Sequence, residues 1–414
     1  MNVLDRVRAF RAGEERLSCF GYGGTLAAMA KRFGRCDVFD DKFDQKEAFA
    51  TNTLQPMNAF DPESSFLEVV TPGIPPSNPS VASAKHLISD YDFFSEGMPF
   101  SVWISGTNGK TTTTQMLGHL LESRGALIGG NVGTPVAALD EAAPMWILET
   151  SSFTLHYTRY ATPNIYLLLP IREDHISWHG SFKAYVADKL KPLQGMKEGE
   201  LAIIPKEYAG QVRSDAFVVG YESADDLAAY FGIDPEQIRF NPPFKFDAIM
   251  ALAVTKSLYN EVDYDLLNRF VLDPHKLEEF EDGKGRLWVD DSKATNVDAT
   301  VAGLEGYAGR YVHLILGGDD KGADMKPLVE ALAERGDIRT YLIGTNRPKM
   351  AALCGELSVP FEECGFLDIA VARIDQAMEK NHVAVLSPAA ASLDQFTSYK
   401  ERGEKFQEFV KKLG

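Results

Sequence analysis

Eight residues, Ile104-Ser105-Gly106-Thr107-Asn108-Gly109-Lys110-Thr111, constrain this chain more than any other stretch. A strand-forming run, Phe100 to Ile104, leads into them, and a helix-like run, Thr112 to Glu122, follows. A glycine loop between a strand and a helix N-terminus points backbone N–H groups and the positive helix end at an anion. Gly106 and Gly109 let the main chain approach a phosphate, Lys110 can reach the β- and γ-phosphates, and the Thr111 hydroxyl can ligate Mg²⁺. The loop is shorter than GxxxxGK[ST], since Ile104 stands five residues before Gly109. Strand, Gly-Lys-Thr and helix together point to a nucleotide-binding α/β layer.

A chain of 414 residues exceeds one ordinary core, so two or three domains are expected. The formal charge of −17 argues against a general nucleic-acid or anionic-membrane binder, but not against anionic small molecules met by local lysines. Cys19, Cys36, Cys354 and Cys364 lack CxxC spacing, which reads as reduced thiols with neither a disulfide framework nor a cysteine zinc site. Met1 to Arg16 has no apolar signal core, and no apolar run approaches membrane-spanning length, so a cytoplasmic protein is expected.

Three α/β segments follow one another. In residues 1–97, strand-like Leu17–Phe20 runs into Gly21-Tyr22-Gly23-Gly24-Thr25, a helix to Lys31, and a second strand, Cys36–Phe39, ending at Asp40. This is half of a dinucleotide-type pattern with Leu26 in place of the third glycine. Val69–Ile74 reads as a strand stopped by Pro72-Gly73. In residues 98–273 the strand-like runs are Phe100–Ser105, Met145–Glu149, Asn164–Leu169 and Leu201–Ile204. In residues 274–414 they are Leu287–Val289, Tyr311–Leu316, Thr340–Ile343 and Val383–Leu386, with helices at Ala323–Arg335, Lys349–Gly355 and Gln395–Lys412. Alternating strands and helices imply mostly parallel sheets whose ligands sit at strand carboxyl ends.

The chemistry-bearing residues lie at such ends. Glu149 closes an apolar strand and offers hard oxygen ligands to Mg²⁺; a cap or ion pair is the plainer role. His175, after Glu173 and Asp174, offers a neutral ring nitrogen. Asn131, among Gly129, Gly130 and Gly133, fits either a close backbone approach to a ligand or a plain turn. Lys189, on a helical stretch, reads from spacing alone as a solvated surface lysine. Three polar loops end strands of the last segment: Asp290–Asn296, Gly317–Lys321 and Ser387–Ser392. Their Lys293 and Lys321 can neutralise a carboxylate, and Thr295 and Ser392 can hydrogen-bond it.

These residues resemble the Mur ligase family of peptidoglycan synthesis along nearly the whole chain. Gly106–Thr112 is similar to its Gly-[Ser/Thr]-Asn-Gly-Lys-[Ser/Thr]-Thr loop, Gly130–Gly133 to GN[IV]G, Glu149–Phe153 to E[LT]SSF and Glu173–His175 to EDH. More specific are Asp291–Asn296, which resembles DSKATN, and Ser387–Phe396, which resembles SPAxASxDQF. These two point to the D-glutamate-adding branch. The resemblance implies an α/β chain of three domains: an N-terminal Rossmann-like UDP-sugar domain, a central P-loop ATPase-like parallel-sheet domain and a C-terminal Rossmann-like amino-acid domain.

It also implies the ligands. ATP would be held by Gly106, Thr107, Asn108, Gly109, Lys110, Thr111 and Thr112, with Asp247, Lys276 and Asp291 at its nucleoside. One or two Mg²⁺ ions would be held by Thr111, Glu149, His175 and a carbamylated Lys189. UDP-MurNAc-L-Ala would meet Gly23, Gly24, Thr25, Asp40 and, near its reacting carboxylate, Asn131. D-Glutamate would meet Lys293, Thr295, Lys321, Ser392, Leu393 and Tyr399. Lys110, Asn131, His175 and Lys189 would serve the chemistry. Three departures from the family pattern stand out. Asp247 replaces an asparagine and Tyr399 a phenylalanine, while Lys276 replaces an arginine, keeping its charge and losing its bidentate fork. The expected reaction is ATP-dependent amide formation through an acyl phosphate, by a monomer whose domains close on nucleotide binding about a hinge near Asp273. Two rivals are a sister ligase with another substrate and a nucleotide-binding regulator that has lost ligation. The Asp291–Asn296 loop argues against the first, and intact Glu149, His175 and Lys189 against the second.

Overall fold

The computed structural model describes residues 1–13 and 15–413. Its strands form three six-stranded sheets. The first contains β1 (Leu17–Phe20), β2 (Cys36–Phe39), β3 (Glu47–Phe49), β4 (Asn52–Gln55), β5 (Glu68–Val70) and β6 (Leu87–Ile88), in the order β3-β4-β2-β1-β5-β6. The second contains β7 (Phe100–Ser105), β8 (Ala126–Gly130), β9 (Met145–Glu149), β10 (Ile165–Leu168), β11 (Leu201–Pro205) and β12 (Phe217–Tyr221), in the order β12-β11-β10-β7-β9-β8. The third contains β13 (Glu278–Glu281), β14 (Leu287–Asp290), β15 (Val312–Gly317), β16 (Ile338–Ile343), β17 (Phe361–Gly365) and β18 (Val383–Leu386), in the order β13-β14-β18-β15-β16-β17. Only β3 and β13, both at sheet edges, pair antiparallel.

Each sheet reverses its direction of growth at one point, and crevices at such points take ligands in open α/β sheets. In the second sheet β7 lies between β10 and β9, so the loops after β7, β9 and β10 share one edge. In the third, β18 returns between β14 and β15, which brings the loops after β14, β15 and β18 side by side. The sequence pattern finds most of these strands and misses β3, β4, β6, β8, β12, β13 and β17, as well as helices such as Val3–Ala12, Phe244–Tyr259, Val297–Glu305 and Leu367–Ala377. The strand expected over Val69–Ile74 spans only Glu68–Val70, because Pro72 has no N–H for a ladder.

By packing, the chain divides into two compact units, residues 1–239 with 245–270, and residues 240–244 with 271–414. The first two sheets share one core in which Phe10, Cys19, Phe93, Trp103 and Trp146 are fully or almost fully buried. Arg11 and Arg32 on the first sheet's helices both pair with Glu141 in the second sheet's layer, at 3.1 and 2.6 Å. The third sheet is covered by two apolar layers, one around Leu314 and Leu328, the other around Trp288, Ile374 and Phe406. Among the described residues no helix is long and apolar enough to cross a membrane.

Candidate active site

The loop after β7 has the shape its glycines predict. Gly106 and Gly109 take φ of +143° and +83°. A Cβ on Gly106 would press on the side chain and backbone of Leu169, and one on Gly109 on Leu169 and the Asp247 carboxylate. Both positions therefore require glycine on conformational and spatial grounds. The helix Lys110–Leu121 begins here with no side-chain cap. An uncapped helix N-terminus behind a glycine loop suits an anion. Lys110 Nζ donates to the Gly106 and Thr107 carbonyls at 3.0 and 2.6 Å, folded over the loop it would share with a phosphate.

Thr111, Glu149 and Asn131 form one cluster. The Thr111 hydroxyl donates to Glu149 Oε2 at 2.7 Å, and the Asn131 amide donates to Glu149 Oε1, also at 2.7 Å. Glu149 is 2% exposed, and β9 carries it beside β7 with Ile104 as its register partner. A hydroxyl and a carboxylate side by side beneath a phosphate loop suit a hard divalent ion such as Mg²⁺. Asn131 arrives through β8, whose last residues are glycines. A Cβ on Gly130 would strike the Glu149 carbonyl, so the close approach is a demand of this strand pair.

Lys189 is the residue whose surroundings depart most from its spacing. It is 1% exposed, and its Nζ donates to the Gly106 carbonyl at 2.7 Å and the Ser105 hydroxyl at 3.3 Å, with the Tyr185 ring 4.7 Å away. The surface-lysine reading is thus corrected: the helix Phe182–Leu190 turns this side chain under the phosphate loop. Burial, reinforced by the charge of Lys110, drives its amine well below the ordinary lysine range. His175 sits at the start of helix Ile176–His179 with φ of +53°. Burial lowers its pKa, and Lys110 and Lys189 add to this against the pull of Asp174. A neutral imidazole there keeps a nitrogen lone pair for a metal. The residues thus fit a Mg²⁺-nucleotide: hard oxygen donors, a neutral histidine and a cation around a phosphate-sized loop.

Contacts that the sequence reading overlooked hold this frame. The Thr107 hydroxyl accepts the Arg172 N–H at 2.9 Å and lies 3.1 Å from the Tyr185 hydroxyl, tying the β7 and β10 loops together. Asp247 accepts from the Thr113 hydroxyl at 3.1 Å, so it lies against the phosphate-loop helix. Neither contact has a signal in spacing.

In the first sheet Gly23 starts the helix Gly24–Phe33 without a side-chain cap, and Thr25 lies in its first turn. Asp40 accepts the backbone N–H groups of Tyr22 and Lys42 at 2.6 and 2.9 Å, which makes it the brace of the glycine loop in this state.

In the third sheet a cavity of about 340 Å³ is lined by Lys293, Thr295, Lys321, Ser392, Leu393 and Tyr399, with Asp319 and Asp320 at its wall. It gathers all six residues expected to hold an amino acid. Lys293 Nζ lies 4.3 Å from the Tyr399 ring centroid, and Lys321 has φ of +50°. Asp319 and Ala391 exchange backbone hydrogen bonds at 2.9 Å, which locks the β15 and β18 loops together. Arg402, 1% exposed, donates to the Ser292 hydroxyl and carbonyl at 3.0 and 2.9 Å and to the Ala390 carbonyl at 3.1 Å. It clamps the two loops that carry Lys293 and Ser392, and nothing in the sequence around it marks that role. Asp291, 6% exposed, accepts from the Ser387 hydroxyl at 2.7 Å, and burial raises its pKa to about 8. Lys276 pairs with Asp273 at 2.9 Å.

Known proteins resemble this chain in sequence and in fold. Residues 104–225 match the Mur ligase middle domain. The chain is 50% identical over 403 residues to UDP-N-acetylmuramoylalanine--D-glutamate ligase of Campylobacter jejuni subsp. jejuni serotype O:23/36 (strain 81-176), covering 96% of this chain and 100% of that one. It is 42% identical over 424 residues to the same-named ligase of Helicobacter pylori (strain HPAG1), again covering 96% and 100%. Among solved structures, the MurF ligase of Thermotoga maritima in complex with ADP superposes with a TM-score of 0.62 at 15% identity, over 97% of this chain and 96% of that one. The UDP-N-acetylmuramate-alanine ligase MurC of Thermotoga maritima gives 0.57 at 15% identity, over 96% and 100%. Those two likenesses speak to the fold. Half-identity across nearly the whole chain speaks to more, and the protein belongs to the Mur ligases, in the family of UDP-N-acetylmuramoylalanine--D-glutamate ligases.

Proposed function

We propose that this chain joins D-glutamate to the alanyl carboxyl group of UDP-MurNAc-L-Ala with ATP as the energy source. The observation that carries this reading is the cavity of the third sheet, where two lysines, two hydroxyl residues and an aromatic ring converge. Two ammonium groups suit an amino acid with two carboxylates. The apolar Leu393 and the Tyr399 ring give that cavity a shape against which a chiral carbon can be sorted.

The alanyl carboxylate attacks the γ-phosphorus, the bond to ADP breaks, and an acyl phosphate forms. The amine of D-glutamate then attacks the acyl carbon, and phosphate leaves with the C–O electron pair as the amine loses a proton. A carboxylate is a poor electrophile, so the phosphoryl group supplies the leaving group it lacks. Lys110 moves from its loop carbonyls onto the transferring phosphoryl oxygens, and the loop amides hold the rest of the phosphate chain. Bound Mg²⁺ supplies neutralisation of the phosphate charge. Thr111, Glu149 and His175 are the side chains offered to it. Burial favours the neutral Lys189 amine, the form that adds CO₂ to become a carbamate, and the carbamate would give the metal a further oxygen. Gly23, Gly24 and Thr25 take the uridine nucleotide at a helix N-terminus, and Asn131 orients the reacting carboxylate beside Glu149.

The test uses UDP-MurNAc-L-Ala labelled with ¹⁸O in the alanyl carboxylate. One ¹⁸O appears in the released phosphate and the product gains the mass of an amide-linked glutamate. Unlabelled phosphate with the same product would overturn the acyl-phosphate route, and no product would overturn the function.

A further inference from the structure

We propose that His156, His179 and Asp188 form a transition-metal site of the class that takes Zn²⁺, separate from the oxygen-rich nucleotide site. Three short helices meet there: Ser152–Tyr157 carries His156, Ile176–His179 ends on His179, and Phe182–Leu190 carries Asp188. His156 Nδ1 and His179 Nδ1 each lie 2.9 Å from Asp188 Oδ2, and the three donor atoms lie within 4.8 Å of one another. A zinc ion bonds such nitrogens and oxygens at about 2.0–2.2 Å, so one ion can reach all three.

The set is already held for a ligand role. His179 has a fully buried side chain, stacks on Phe153 at 5.5 Å and 15°, and places its other nitrogen 3.0 Å from the Ser152 hydroxyl. A ligating histidine needs an outer hydrogen-bond partner of this kind, which fixes the ring and its tautomer. Asp188 Oδ1 faces Lys191 at 3.9 Å, and Lys191 is anchored on the Leu155 carbonyl at 2.9 Å. The carboxylate is therefore steadied on the side away from the imidazoles. The His156 side chain is 34% exposed, which leaves a route for the ion and room for water as a fourth ligand. In the metal-free state both imidazole N–H groups compete for one carboxylate oxygen. Zn²⁺ binding at Nδ1 would shift each ring proton to Nε2, which for His179 lies 3.0 Å from the Ser152 hydroxyl, and would use all three donors at once. Two imidazoles with one carboxylate favour Zn²⁺ over Mg²⁺, which prefers oxygen ligands and keeps its water. His179 closes the helix that His175 opens, and Asp188 precedes Lys189. A bound ion would brace the two segments on which those residues sit.

The test measures Zn²⁺ retained by the full chain, stripped of metal, after equilibrium dialysis against Zn²⁺ in excess Mg²⁺. The parent is expected to hold one Zn²⁺ per chain and to gain thermal stability from it. His156→Ala and His156→Gln should bind at least about tenfold more weakly, while His175→Ala keeps the parent's affinity. Metal-free melting curves of the two His156 variants establish that they fold. His156→Gln keeps the bulk if alanine does not. Absence of Zn²⁺ from the parent, equal Zn²⁺ in the His156 variants, or loss in His175→Ala alone would each overturn the proposal.

Discussion

Against the Gly106 carbonyl, burial and the neighbouring charge of Lys110 drive the Lys189 pKa well down, with Asp174 and Asp188 pulling the other way, and the unprotonated amine is favoured. Under the proposed function, carbamylation at neutral pH needs that unprotonated amine. Removing dissolved CO₂ should therefore lower activity, and bicarbonate should restore it. Lys189→Ala should lose about 10²-fold or more in kcat, with nucleotide binding changed much less. Fluorescent-nucleotide titration beside steady-state assays separates the two, and a variant of parental kcat would remove Lys189 from the metal centre. Gly109 answers to conformation instead. Gly109→Ala forces a side chain into φ of +83° against Leu169 and Asp247, at a cost of about 1–3 kcal/mol. The expected outcome is loss of nucleotide binding by calorimetry together with a lower melting temperature. The glycine's need was legible in the loop motif. The lysine's burial was not, because a helical lysine looks the same in sequence whether its helix faces water or a phosphate loop.

At the scale of elements, sheet pattern decided what could be read. β7, β9, β10, β14, β15, β16 and β18 are buried and apolar, and their sequence runs are plain. β13 is an edge strand of sequence Glu-Glu-Phe-Glu, whose charges keep it soluble and hide it. β8 ends in two glycines that its partners require, so it reads as a turn. The three loops around the cavity of the third sheet were visible singly. Their convergence depends on β18 inserting between β14 and β15, which no local pattern encodes. Arg402 holds that convergence. Arg402→Ala should raise the KM for D-glutamate more than that for ATP and lower stability by at least about 2 kcal/mol, because three charge-assisted hydrogen bonds are lost. Equal changes in both KM values would contradict a clamp on this cavity. At the opposite strand ends, His313 lies 3.0 Å from both the Tyr341 hydroxyl and His382 Nδ1. Burial, with His382 and two arginines nearby, pushes its pKa down to about 4. The unfolded chain then binds more protons between that value and about 6.5. The stabilisation is full above about pH 6.5 and fades as pH falls towards 4, by at most about 3 kcal/mol. Melting curves across that window should slope less in His313→Gln. An unchanged slope would place the acid sensitivity elsewhere.

For the whole molecule, the division of labour follows the two compact units. The phosphate loop, Glu149, His175 and Lys189 all lie in the unit built from residues 1–239 and 245–270, and the cavity proposed for D-glutamate lies in the other. A ligand confined to one unit stabilises that unit by mass action, about 2.7 kcal/mol at a hundredfold excess over its Kd. Scanning calorimetry with a non-hydrolysable ATP analogue and Mg²⁺ should move one unfolding transition upward ahead of the other. D-Glutamate, at concentrations that fill the cavity, should act first on the second. Length and the three runs of alternating elements made a multi-part α/β chain legible. The shared core of the first two sheets was not, because its contacts join residues such as Phe10 and Trp146 that are far apart in sequence.

Phosphate release by the purified protein with ATP, Mg²⁺ and UDP-MurNAc-L-Ala, across D-glutamate, L-glutamate, L-alanine and meso-diaminopimelate, tests the central claim most directly. The account predicts release that depends on D-glutamate and matches amide product mole for mole. Release driven equally by L-glutamate or better by another amino acid would contradict it.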